Sequence, residues 1–112
     1  MDIKNNQDIN EEFLMTLLCL VGEARSLIME AMRKARVGDI INAKADLHAA
    51  DDLLANVHKT QTSLIGFDQG EGKVKMTLIL THIQDHIMTA MLCRDIADEI
   101  VFIHQNRCQA LL

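Results

Sequence analysis

Residues 81–91 read THIQDHIMTAM, and His82, Asp85 and His86 are the side chains in it that can do chemistry. Positions i, i+3 and i+4 share one face of an α-helix, so two imidazoles and a carboxylate project into one patch. These residue types admit several chemistries. The His pair at i, i+4 has the spacing of zinc ligands, which requires a third ligand from elsewhere in the chain. A neutral imidazole is also a nucleophile near pH 7 and can accept a phosphoryl group on its unprotonated nitrogen, provided neighbouring donors take up the charge. The remaining reading is that both histidines are satisfied polar side chains with no site between them.

The elements that must carry these residues are helices. The 112 residues include no proline, three aromatics (all Phe), seven Met and 49% hydrophobic residues, a composition suited to helix-on-helix packing and to one domain spanning 1–112. The polar N-terminal stretch, residues 1–9, reads as a flexible tail. Asp8-Ile9-Asn10-Glu11 has capping-box spacing. Leu14, Leu17, Leu18, Val21, Ala24, Ile28, Ala31 and Ala35 then recur at threes and fours up to Gly38. Gly38-Asp39 ends that helix and caps the next, whose stripe is Ile40, Ala43, Leu47, Ala50, Leu54, Val57, Gln61 and Leu64. The glycines of GFDQGEG (66–72) mark a flexible turn. A third helix from about Lys73 to near Asn106 would be roughly 50 Å long at the α-helical rise. The fold class is therefore all-α, an elongated antiparallel three-helix hairpin.

The third helix carries two apolar stripes. Leu80, Ile83, Ile87, Ala90, Ala97 and Val101 can seal the intrachain core. Leu78, His82, Asp85, Thr89, Leu92, Ile96, Glu99 and Ile103 form the other, which is either a self-association seam or a face turned to the second partner helix of the bundle. Among the other polar residues, Arg25 is expected to pair with a buried acid, the alternative being a place on the partner surface, and His58 and Gln61 to satisfy one another near the helix end, the alternative being an approach to the site. His48 and His104 are expected to face solvent, and Met88 and Met91 to fill the core. Cys19, Cys93 and Cys108 form no CxxC pair and read as reduced, mostly buried thiols.

The net charge of −5 lacks the basic footprint of a nucleic-acid binder or a polybasic membrane anchor. MDIKNNQDINEE has neither part of a signal peptide, and no apolar run approaches a membrane span, so a soluble cytoplasmic protein without direct membrane insertion is expected.

HIQDH is similar to the H-x-x-E-H metallopeptidase motif with Asp in place of Glu, but a wider resemblance covers nearly the whole chain. THIQDHIMTAM resembles the HAQDHLMT signature of the lactose/cellobiose-type enzyme IIA components of the bacterial phosphoenolpyruvate-dependent sugar phosphotransferase system. Gly22-Glu23-Ala24-Arg25-Ser26 with Met29-Glu30-Ala31 resembles the G-x-A-R-S…EA segment of that family. His58 to Ile65 resembles H-x-x-Q-T-x-L-I, and Gly38-Asp39 and the glycine loop fall at matching places.

The resemblance implies a three-helix hairpin assembled as a homotrimer and a phosphotransferase component that works as a phosphocarrier. In it His82 accepts a phosphoryl group from phospho-HPr and passes it to a cysteine of the cognate enzyme IIB. That protein feeds the membrane enzyme IIC during uptake of a β-linked disaccharide. Gln84 and His86 are the candidate supporting donors, each acting on the His82 of a neighbouring subunit, since a helix seam brings such patches together. For His86 an orienting contact to Asp85 is the other option. Asp85 is expected to meet its symmetry mates around a structural divalent cation, of which Mg²⁺ suits oxygen ligands best. A non-catalytic helical adaptor that keeps this fold is the competing function. Thr81, Ile83 and Ile87 depart from the signature's usual Val, Ala and Leu, and the last residues depart from the family's aromatic, lysine-rich end.

Overall fold

The computed structural model describes residues 2–110 and has three long helices, α1 (Glu11–Arg36), α2 (Ile40–Asp68) and α3 (Leu78–Ala110), preceded by one 3₁₀ turn at Asn6–Asp8. The side chain of Cys108 lies outside the described residues. The helices form an elongated body of 57 × 24 × 21 Å, as the apolar periods predict. Helix α1 is the spine: it packs along both α2 and α3, which touch each other over a much shorter stretch.

The apolar period of each helix is the face it buries. Leu17, Val21, Ala24, Ile28, Ala31 and Ala35 of α1 are fully enclosed against Ala43, Leu47, Ala50 and Val57 of α2 and Leu80, Ile83, Ile87, Ala90 and Ala97 of α3. Alanine occupies many of these positions, and its small side chain lets the helix axes approach closely along ridges and grooves. Thr60 is the one buried polar residue in this core among the described residues. Its hydroxyl donates to the Asn56 carbonyl at 3.2 Å, so it costs little where it is.

Local chemistry sets the helix ends, and two differ from expectation. Helix α1 is capped by Asn10, whose Oδ1 accepts the Phe13 N–H at 2.9 Å, and not by Asp8. Asp8 is committed upstream, where its carboxylate accepts the Lys4 and Asn5 N–H groups at 2.8 and 3.1 Å. The glycine loop begins later than predicted, because α2 runs through Gly66 to Asp68 and turns only at Gln69, Gly70 and Gly72, all with positive φ. One helical glycine costs only about 1 kcal/mol, and the burial of Leu64 and Phe67 on either side offsets it. Helix α3 then starts at Leu78, five residues after Lys73. Before it, the Asp68 carboxylate accepts the Val74 N–H at 2.9 Å and holds the connection in a non-helical path. The Thr77 hydroxyl accepts the Leu80 N–H at 3.2 Å. At the opposite end the turn is as predicted, with Gly38 at φ 90° and Asp39 capping α2 through the Asn42 N–H.

The N-terminal segment is docked where a flexible tail was expected. Ile3 is buried and its N–H donates to Ser63 Oγ at 2.9 Å. The Asn6 side chain bridges to the α2–α3 connection, donating to the Lys73 carbonyl and accepting the Lys75 N–H, both at 2.9 Å. A polar composition concealed one apolar anchor and one amide that satisfies backbone groups of an irregular loop. Farther along, Arg94 of α3 crosses to α2, with Nε and Nη2 on the two oxygens of Asp51 at 2.6 and 2.9 Å and Nη1 on Asp98 at 2.6 Å. This fork closes the sparse α2–α3 contact. The hydrogen bonds the guanidinium donates to Asp51 raise its pKa above the ordinary value, with Asp98 adding to the effect.

The second α3 stripe faces neither partner helix. Leu78, His82, Asp85, Thr89, Leu92, Ile96, Glu99 and Ile103 are all exposed in the single chain, with Leu78 at 87% and Leu92 and Ile103 at 60%. Of the two explanations for that stripe, packing against a second helix of the same chain is thereby excluded.

Candidate functional site

The site grows out of the alternation along α3. Ile83 and Ile87 are both at 0% exposure, and their burial locks the rotation of the helix, turning the residues between them outward. His82 and Asp85 are exposed and His86 is half-buried. The two imidazoles meet edge to face, with ring centroids 4.6 Å apart and planes at 79°, an arrangement in which one ring's positive edge meets the other's electron-rich face. The structure therefore brings His82 and His86 together, and the contact of His86 is with that ring and not with Asp85, the other option for it.

Asp85 stands alone. It takes part in no ion pair among the described residues, and only its backbone carbonyl is engaged, by the Thr89 hydroxyl at 2.9 Å. No group of three His, Cys, Asp or Glu side chains suited to a metal ion occurs among the described residues. One chain thus offers a hard cation a single carboxylate.

Gln84 turns away from His82, as the two-residue separation requires. It lies on the α2 side, where its Oε1 accepts a hydrogen bond from Gln61 Nε2 at 2.9 Å. Both residues line an apolar groove of about 370 Å³ between α2 and α3, with Leu64, Ile65, Val74 and Met76. Gln61 thus pairs with Gln84 and not with His58, which is exposed. Nothing in the sequence indicated this pair, because its members lie 23 positions apart. The only hint was an amide in the apolar period of α2.

Other expectations are corrected here. Arg25 is exposed, has no carboxylate partner among the described residues, and shares a wide α1–α3 groove with His86, Ser26 and Arg33. Its position in α1 lies next to the buried Ala24 but on the outward side, so no buried acid is within reach. Met88 is 57% exposed, although Met91 packs on the core. Cys19 is exposed, where a buried thiol was expected, because it falls between the buried Leu17 and Val21 on the outer side of α1. His48 faces solvent as expected, whereas His104 is half-buried with its Nδ1 enclosed and without a hydrogen-bond partner among the described residues.

No helix among the described residues is long and apolar enough to cross a membrane. Residues 12–105 match the family described as PTS system, Lactose/Cellobiose specific IIA subunit. The chain is 40% identical to the N,N'-diacetylchitobiose-specific EIIA component of Escherichia coli K12, over 95% of this chain and 97% of that protein. It is 37% identical to the lichenan-specific phosphotransferase enzyme IIA component of Bacillus subtilis 168, over 86% of this chain and 87% of the relative. Among solved structures, the Escherichia coli IIA(Chitobiose)–HPr complex contains a chain matching at TM-score 0.73 and 42% identity, covering 86% of this chain and 93% of that one. The cellobiose-specific enzyme IIA of Bacillus anthracis matches at TM-score 0.81 and 29% identity, covering 89% and 91%. An all-α hairpin that presents a histidine pair on its outer face, matched along nearly its full length by these proteins, belongs to the lactose/cellobiose family of phosphotransferase-system enzyme IIA components, the phosphocarriers of that system.

Proposed function

We propose that His82 is the phosphoryl acceptor, charged by phospho-HPr and discharged to a cysteine of a cognate enzyme IIB during cytoplasmic delivery of phosphate for uptake of a β-linked disaccharide of the lactose, cellobiose or chitobiose class. The observation that carries this reading is the exposed His82 ring, held on a helix whose rotation is locked by Ile83 and Ile87 and backed by the His86 ring at 4.6 Å. The solved complex of a 42% identical chain with HPr supports the donor.

Transfer between two imidazoles needs in-line approach and donors for the equatorial oxygens rather than a separate acid or base. The lone pair of the acceptor nitrogen forms the new N–P bond as the donor's N–P bond breaks, the departing imidazole recovers its lone pair, and each ring keeps the proton on its other nitrogen. His86, already against the acceptor ring, supplies one donor. Gln84 lies on the far side of its own helix and serves the His82 of a neighbouring copy.

On that reading the working unit is an oligomer, and we assign the exposed α3 stripe to a homotrimer seam. Leu78, Leu92, Ile96 and Ile103 are the apolar members of a stripe that steps by fours and threes through His82, Asp85, Thr89 and Glu99 in the manner of a coiled-coil face, and water is a costly neighbour for them. About a three-fold axis the three Asp85 carboxylates would converge, and a divalent cation such as Mg²⁺ held by them would supply the positive charge that three close carboxylates lack. The role of Asp85 in this arrangement is structural.

The test is phosphorylation by phosphoenolpyruvate with enzyme I and HPr. Wild-type chain takes up acid-labile, base-stable phosphate, and His82→Ala takes up none. Unaltered labelling of that variant removes His82 from the reaction. Absence of labelling in the wild type would make the chain a helical adaptor that only binds.

A further inference from the structure

We infer that Gln61 is a positioning residue that selects which end of the Gln84 amide faces outward, an inference that rests on the reading of Gln84 as a phosphate donor. A primary amide is two-faced: one end donates, the other accepts, and the two ends have nearly the same shape. A phosphoryl group is stabilised by the NH₂ end and repelled by the carbonyl end. Something must therefore choose between them before the phosphate arrives, or the choice costs reorganisation at the moment of transfer.

The choice is made across the α2–α3 groove. Gln61 Nε2 donates to Gln84 Oε1 at 2.9 Å. The same nitrogen lies 3.8 Å from Met88 Sδ, a weak acceptor. Both neighbours of that atom are acceptors, which suits a nitrogen at that position and disfavours the flipped Gln61 amide. With Oε1 taken, Gln84 has its NH₂ group without an acceptor among the described residues, and that group is what it offers to the outside. Both glutamines are half-buried, beside the buried Leu64 and Leu80, so the pair is partly sheltered from the water that would otherwise scramble it. On its own helix Gln84 is two residues from His82, about 200° around at 100° per residue, so the phosphoryl group it meets is that on a second copy's His82.

Substitutions at position 61 can impose either orientation. Gln61→Glu presents only acceptors, which obliges Gln84 to turn its NH₂ inward and its carbonyl toward the phosphate. Gln61→Lys presents only donors and preserves the native orientation. Gln61→Leu leaves the amide free.

In single-turnover transfer from phospho-HPr, Gln61→Lys is expected to keep the wild-type rate. Gln61→Leu should be slowed a few-fold, and Gln61→Glu at least about tenfold, equivalent to roughly 1.4 kcal/mol of transition-state stabilisation. The change should fall on the maximal rate and leave the half-saturating HPr concentration in place. In a Gln84→Leu background, itself slowed, the ranking of the three variants should collapse. Equal rates for all three, the same ranking persisting in Gln84→Leu, or full activity of Gln84→Leu would each overturn the inference. If Gln61→Glu loses helical content, the contrast between the Leu and Lys variants carries the same test. Failure of the phosphocarrier reading looks different, as no labelling of the wild-type chain at all.

Discussion

At the scale of single residues, burial and contact distinguish the two imidazoles of α3. His82 is exposed and meets one ring, that of His86, which is itself half-buried against α1. The His82 ring is thus open to an approaching partner while the ring behind it is held. From this asymmetry, His86→Ala should still accept phosphate on His82 but roughly ten- to a hundredfold more slowly, the size of effect expected for removing one charge-assisted donor. Rapid-quench measurement of the single-turnover rate checks this, and a rate unchanged from wild type would show that the edge-to-face contact plays no part in transfer. That His82, Asp85 and His86 share one outer region of a helix was legible from residue type and spacing. The contact of Gln61 with Gln84 was not, because a hydrogen bond across two helices depends on how they pack.

At the scale of elements, apolar periodicity identified each helix, and capping chemistry set its ends. Asp39 behaved as its neighbours predict, while Asp8 did not, because a second cap, Asn10, stood next to Glu11 and the Asp8 carboxylate had upstream amides to accept. Charged side chains fasten the helices near their ends. Lys34 of α1 donates to Asp46 of α2 at 2.7 Å, and this hydrogen bond raises its pKa above the ordinary 10.5. For a base whose folded pKa is raised, the stabilising contribution is complete below the unfolded value and disappears as pH rises through the folded value. Lys34→Met should therefore melt below wild type near neutral pH, with the gap closing as pH is raised from about 10 upward. A gap in melting temperature that stays constant across that range would mean the pair contributes through packing of the lysine stem alone.

For the whole molecule, the decisive feature is a long apolar face that the chain does not cover. Exposure of Leu78, Leu92, Ile96 and Ile103 along one side of α3 is more than isolated surface leucines would explain and calls for a partner surface. In the proposed trimer the Asp85 layer is the one place where that seam is charged. Replacing a buried charged cluster by apolar contacts is often neutral or stabilising. Asp85→Leu, and wild type treated with chelator, are thus both expected to sediment as trimers, with the Leu variant at least as resistant to heat. Dissociation of Asp85→Leu into monomers in sedimentation equilibrium would mean that the cation, and not the apolar stripe, holds the assembly.

The sequence by itself determined the all-α class, the order of three helices, the residues that fill the core and the family to which the chain belongs. Each of these depends on local spacing or on motifs in linear order, which a single chain displays directly. Only the tertiary structure decided that α1 lies between its two partners, that the second α3 stripe is left outside the monomer, and that residues 3–8 are tied to α2 and the connection beyond it. It alone joined Gln61 to Gln84 and Arg94 to Asp51. The physical reason is common to all five. A period tells which side of a helix is apolar, but what covers that side, and which distant polar atom a side chain meets there, is set by the packing of the three helices against one another.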